Sequence, residues 1–132
     1  MIALDTNVIV RFLVRDDERQ AQAVYVRFKQ AESTREMLFV PLLVVLETIW
    51  VLESAYDKPR ADVLEAFDAL KGMPILAFEK PNVLQRLLTE GRKSTTDLSD
   101  LLIALAAQSS GCSGGLTFDK KASRLPFFRL LT

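Results

Sequence analysis

The sequence predicts an α/β domain with a largely parallel sheet. Short apolar runs that read as strands alternate with longer segments of helical periodicity. No repeat, low-complexity tract or linker divides the chain. Of its 132 residues, 49% are apolar and 26% charged, a globular balance rather than a disordered one. One domain over residues 1–132 is expected at this length, with roughly two-thirds of the unfolded surface buried on folding.

Ile2-Ala3-Leu4 is the first strand, stopping at Asp5, and Val8, Ile9, Phe12 and Leu13 then recur at helical spacing. Asp16-Asp17-Glu18 breaks that pattern and supplies acids suited to a first turn. A second helix is expected from about Glu18 to about Ala31, with Ala21, Val24, Tyr25 and Phe28 on one face. Leu38-Phe39-Val40 is the next strand. Pro41, tolerated in a first helical turn, opens a long apolar helix from Leu42 to about Ala55. After the break at Asp57-Lys58-Pro59, Val63, Leu64, Phe67 and Leu70 outline another helix, which Gly72-Met73-Pro74 stops. Ile75–Phe78 is a strand, Pro81 to about Glu90 a short helix, and Gly91 to Thr96 a polar loop. Asp97 to about Gln108 is helical, Gly111, Gly114 and Gly115 mark a loop, Leu116-Thr117-Phe118 is a late strand, and Phe127–Leu130 a last edge strand.

Composition excludes much chemistry. There is no histidine, which removes His general bases, His-dependent triads and dyads, and imidazole metal ligands. The single cysteine, Cys112, excludes an internal disulfide and a Cys-rich zinc site, and with no His to activate it reads as an incidental thiol. Apolar runs of seven residues, Val40–Leu46 and Leu101–Ala107, fall far below the ~20 of a membrane span. The opening MIALDTN has no signal-peptide character, so a cytoplasmic protein without membrane attachment is expected. Seventeen basic residues balance seventeen acidic ones, so net charge says nothing for or against a nucleic-acid partner.

The carboxylates carry what remains. In a parallel sheet, sites lie at the carboxyl ends of strands, and Asp5 and Asp119 each follow a strand. Singly, Asp5 reads as an N-cap and Asp119 as a loop aspartate. Glu47 and Thr48 are the only polar side chains from Val40 to Leu52, so that helix is expected to be buried nearly all round. A buried Glu47 would have to be paired with an arginine, protonated or bound to a cation. Asp97 and Asp100 share one face at a helix start, as cap and first-turn acid or as functional groups. Trp50 and Phe39 read as core, with a dimer surface the alternative for Trp50. Asp5, Glu47, Asp100 and Asp119 all come at, or one turn beyond, the starts of buried elements. Two carboxylates ~4 Å apart repel by ~4 kcal/mol at an effective dielectric of 20, about three pKa units. A converging set therefore calls for a cation, and oxygen-only ligands point to Mg²⁺ or Mn²⁺. Such sites favour metal-assisted attack on a phosphodiester.

Leu4-Asp5-Thr6-Asn7-Val8-Ile9-Val10-Arg11-Phe12-Leu13 resembles the opening of PIN-domain nucleases, VapC-type toxins in particular. The segment Pro41–Leu52, with Glu47 inside it, resembles their second acid motif. Asp97-Leu98-Ser99-Asp100-Leu101-Leu102-Ile103-Ala104 is similar to the third, and Leu116-Thr117-Phe118-Asp119-Lys120-Lys121 to the fourth. The likeness covers essentially the whole chain and departs at Ser99, where the family usually has Ala. It implies a PIN-like three-layer α/β/α fold with a mostly parallel central sheet and Mg²⁺-dependent endoribonuclease activity. Asp5, Glu47, Asp100 and Asp119 match the catalytic acids, and Asp5, Asp97, Asp100 and Asp119 the metal-holding set. Thr6, Asn7 and Thr117 match supporting positions. A homodimer and an inhibiting antitoxin are the implied protein partners. Arg11, Arg15, Arg92, Lys93, Lys120, Lys121 and Arg124 flank the acid motifs, where RNA phosphates would be held, although lysines and arginines are mostly exposed anyway. The alternatives are a nuclease of RNA processing or DNA cleavage without an antitoxin, and a catalytically silent interaction module.

Overall fold

The computed structural model describes all 132 residues, which fall into two compact units, Met1–Glu79 and Lys80–Thr132. Strands alternate with helices in the α/β manner and every strand pairing is parallel. The strands form a three-stranded and a two-stranded sheet rather than one continuous central sheet.

In the first unit the order is β1 (Ile2–Ala3), α1 (Thr6–Leu13), α2 (Glu18–Thr34), β2 (Leu38–Val40), α3 (Leu42–Ser54), α4 (Arg60–Lys71) and β3 (Leu76–Phe78). Parallel neighbours need long crossovers, and each connection here carries two helices. The sheet order is β1-β2-β3, with Ile2 opposite Leu38 and Val40 opposite Phe78. The Leu4 N–H donates to the Phe39 carbonyl at 2.8 Å, carrying the pairing up to the residue before Asp5. Buried residues of β2 (Leu38, Val40) and of the helices (Ile9, Val10, Phe28, Val45, Ile49, Leu52, Phe67, Leu70) make the core. The rings of Phe12 and Phe28 meet at 5.0 Å where α1 packs on α2. Helix α2 runs to Thr34, three residues past its expected end, and stops at Arg35 in the left-handed conformation (φ 58°). Just beyond it, Glu36 accepts two hydrogen bonds from Arg27 at 2.8 and 2.7 Å, tying the approach of β2 to α2.

Helix α3 departs from the sequence expectation. Val44, Val45, Thr48, Ile49 and Leu52 are buried, whereas Leu43 (77% exposed), Glu47 and Trp50 (63% exposed) form an open stripe. Positions i, i+4 and i+7 share a helix face, and an apolar pattern that runs all round cannot tell which face packs. Trp50 is therefore not core, and Phe39 is only half-buried.

In the second unit α5 (Pro81–Lys93) packs on α6 (Leu98–Ser109), followed by β4 (Gly115–Thr117), a 3₁₀ turn (Ala122–Arg124) and β5 (Phe128–Leu130). Helix α5 runs through the expected polar loop as far as Lys93, with Gly91 buried inside it. Strand β4 begins at Gly115 and ends before Phe118, which is 78% exposed. Gly115 lies opposite Phe128. A Cβ there would stand 2.8 Å from the Phe127 ring and 3.0 Å from that of Phe128, so only glycine lets the two edge-to-face rings close over the strand.

Candidate active site

Asp5 and Glu47 belong to the first unit. Asp5 follows β1 and is the N-cap of α1, its Oδ1 accepting the Thr6 N–H at 2.8 Å. The capping reading is thus correct, yet the carboxylate is exposed and uses one oxygen. Thr6 supports Asp5 through its backbone. Its hydroxyl is buried and has no hydrogen-bond partner. Asn7 is exposed. Glu47 lies in the second turn of α3, the helix after β2, and α3 packs on α1. It is exposed and makes no ion pair or hydrogen bond. The arginine pairing weighed for a buried Glu47 does not exist, because the side chain faces outward. The buried polar group of that pair is Thr48, fully enclosed with its hydroxyl unpartnered.

Asp97, Asp100 and Asp119 belong to the second unit. Asp97 caps α6, its Oδ1 accepting the Asp100 N–H at 3.0 Å. Asp100, in the first turn of α6, is half-buried. Its carboxyl is held above the usual aspartate range, chiefly by burial, then by the charges of Asp97 and Asp119. Asp119 stands two residues beyond β4 in a turn built by its own groups. Its N–H donates to Thr117 Oγ1 at 3.0 Å and its Oδ1 accepts the Lys121 N–H at 2.8 Å. The Thr117 hydroxyl thus helps to shape the turn that carries Asp119.

No group of three or more acids stands ready as a metal cage. The donors nonetheless suit a hard cation in kind: all are carboxylate oxygens, and in the second unit like charges raise the cost of ionising a half-buried member. Arg15, Arg92, Lys93 and Lys120 are exposed, Arg92 and Lys93 in the last turn of α5 rather than in a loop. Arg11 is committed elsewhere, donating to Gln20 (2.7 Å), Tyr56 (3.2 Å) and Asp16 (3.3 Å). The Tyr56 contact contributes most to holding its guanidinium pKa above the usual value.

One carboxylate escaped the sequence reading. Glu79, just past β3, accepts the Leu42 N–H at 2.7 Å and so caps α3. The available signals were its place after a strand and the missing acceptor at Pro41.

Residues 2–128 match the PIN domain family. The chain is also similar to a VapC ribonuclease of Aquifex aeolicus (strain VF5), 27% identical over 128 residues, 96% of this chain and 93% of that protein. No helix is long and apolar enough to cross a membrane.

Proposed function

The chain belongs to the PIN domain family, and on that premise we propose that it is a divalent-metal-dependent endoribonuclease, the toxin of a type II toxin–antitoxin pair. Supporting the ribonuclease reading is its likeness to a VapC ribonuclease over nearly the full length of both chains. The structural observation that carries it is the placing of the acids, Asp5 after β1 at the start of α1, Asp97 and Asp100 at the start of α6, and Asp119 in the turn after β4. Burial, Asp97 and Asp119 hold the Asp100 carboxyl above its usual range, a direction met more often at functional sites than elsewhere.

Asp5, Glu47, Asp100 and Asp119 are the catalytic acids in this reading. Asp5, Asp97, Asp100 and Asp119 are the residues that would hold Mg²⁺, or Mn²⁺ in its place. Such an ion would supply an activated water and offset charge developing on the scissile phosphate. With no histidine in the chain, proton acceptance falls to a carboxylate, and the unpartnered Glu47 is available for it. Asp97 orders the first turn of α6 beneath Asp100, and Thr117 orients the turn carrying Asp119. Thr6 and Asn7, which follow Asp5 in the first turn of α1, support it. Arg15, Arg92, Lys93 and Lys120 hold RNA phosphates, as does Arg11 to the extent that its own hydrogen bonds release it. The chain acts as one PIN domain, in the cytoplasm, as a homodimer restrained by its antitoxin.

The test is cleavage of RNA by the purified protein in Mg²⁺, in Mn²⁺ and in EDTA. Cleavage in either metal and none in EDTA is expected, with growth arrest on induced expression relieved by the neighbouring open reading frame. An Asp5→Asn protein that cuts at the wild-type rate would remove the assignment of the acids.

A further inference from the structure

We propose that Glu79 is a positioning residue for Glu47, clamping the start of the helix that carries it; this inference rests on the functional reading above. Helix α3 begins after Pro41, which provides no side-chain cap. The first N–H groups of a helix have no partner inside it. Those of Val44 and Val45 reach the Pro41 carbonyl at 3.0 and 3.2 Å. That of Leu42 is taken by Glu79 Oε1 at 2.7 Å, from 37 residues further along the chain. The N–H of Glu79 in turn donates to the Val40 carbonyl at 3.0 Å, one step beyond the pairing of Val40 with Phe78. Glu79 thereby joins the ends of two adjacent strands to the first residue of α3. A carboxylate accepting a backbone N–H makes a charge-assisted bond, and its charge complements the helix dipole.

The helix after the neighbouring strand is anchored differently. Helix α1 is capped by Asp5, so that acid is tied to the backbone directly. Glu47 has no hydrogen bond or ion pair at its tip, so its place is set by where α3 stands. Glu79 is the side chain that fixes the N-terminal end of α3. A shift of ~1 Å in a reacting group can lower a rate ~10²-fold, so a loosened first turn acts on kcat rather than on RNA binding.

Four proteins test this: wild type, Glu79→Ala, Glu79→Gln, which keeps an acceptor oxygen, and Arg27→Ala, which removes an ion pair elsewhere in the same unit. Glu79→Ala is expected to lower kcat about tenfold, with KM within about twofold, and Glu79→Gln to recover kcat to within about threefold. Arg27→Ala lowers Tm and leaves kcat unchanged. Amide exchange in the first turn of α3 supplies a readout independent of activity, faster in Glu79→Ala and unchanged in Glu79→Gln. Should Glu79→Ala not fold, Glu79→Asp replaces it, its shorter side chain falling short of Leu42. Unchanged exchange, a wild-type kcat in Glu79→Ala, or a loss that Glu79→Gln does not repair each overturns the proposal. A wild-type protein that cuts no RNA, yet shows faster exchange in Glu79→Ala, overturns the functional reading and leaves the clamp standing.

Discussion

In the first unit, Arg27 donates two hydrogen bonds to Glu36 and holds that carboxyl below its usual range. In the second, burial, Asp97 and Asp119 push the Asp100 carboxyl above its usual range. Both are acids at the edge of regular structure, and their effects on stability have opposite sign. The folded state takes protons from Glu36 and gives them to Asp100. The Glu36 contribution is present above its unfolded pKa and is lost as pH falls through the folded one. That of Asp100 is present below its unfolded pKa and is lost as pH rises through the folded one. Glu36 is an acid serving the fold, and Asp100 one that the fold tolerates at a cost. Acids of the second kind are met more often at functional sites than elsewhere.

The largest expected effect tests that distinction directly. Asp100→Asn should lower the rate of RNA cleavage in Mg²⁺ by ~10²–10⁴-fold, the range for losing one participant in the chemistry, while Glu36→Gln should change it little. Equal losses in the two variants would erase the difference between the carboxylates.

Next in size is a packing effect confined to the second unit. Gly115→Val drives a side chain into the rings of Phe127 and Phe128 and should cost roughly 1–3 kcal/mol by denaturant unfolding. Because β4 leads to Asp119, cleavage should fall with it. Full stability in this variant would mean that the aromatic pair is not closed over the strand.

Smaller, and opposite in sign, is the metal-free stability of Asp100→Asn. In EDTA near neutral pH its Tm should rise rather than fall, because Asn carries no charge to be buried beside Asp97 and Asp119. The advantage should vanish once pH falls below the ordinary aspartate range, where the wild-type carboxyl is protonated in both states. Glu36→Gln should instead lose stability at neutral pH and converge with wild type in acid. If Asp100→Asn were less stable than wild type in EDTA, the charge at Asp100 would be serving the fold after all. The smallest effect belongs to Trp50→Ala, expected within about 0.5 kcal/mol of wild type because the ring is mostly exposed. A loss of several kcal/mol would show that the ring is covered in solution.

The fold class, the order of strands and helices and the placing of acids after strands and at helix starts were legible in the sequence because each is local information. Periodicity marks α4 and α6, a Pro-led start marks α3, and an aspartate closing an apolar run marks Asp5 and Asp119. Expectations failed where the local signal was the same for two outcomes. An apolar pattern all round α3 could not say that Leu43, Glu47 and Trp50 face outward. Gly91-Arg92-Lys93 looks like a loop until its glycine is buried within α5.

What only the folded chain could decide is which groups meet across long stretches of sequence. The Glu79 carboxylate reaches Leu42, Asp119 and Asp97 bear on Asp100, and the Phe127 and Phe128 rings close on Gly115. Hydrogen bonds, Coulomb interactions and steric exclusion depend on distance through space, which residue order does not specify. The sequence determined which chemistry was available: oxygen ligands, no imidazole, acids at strand ends. Tertiary structure determined which of those acids is a cap, which stands unpaired, and which is held ionisable only against its surroundings.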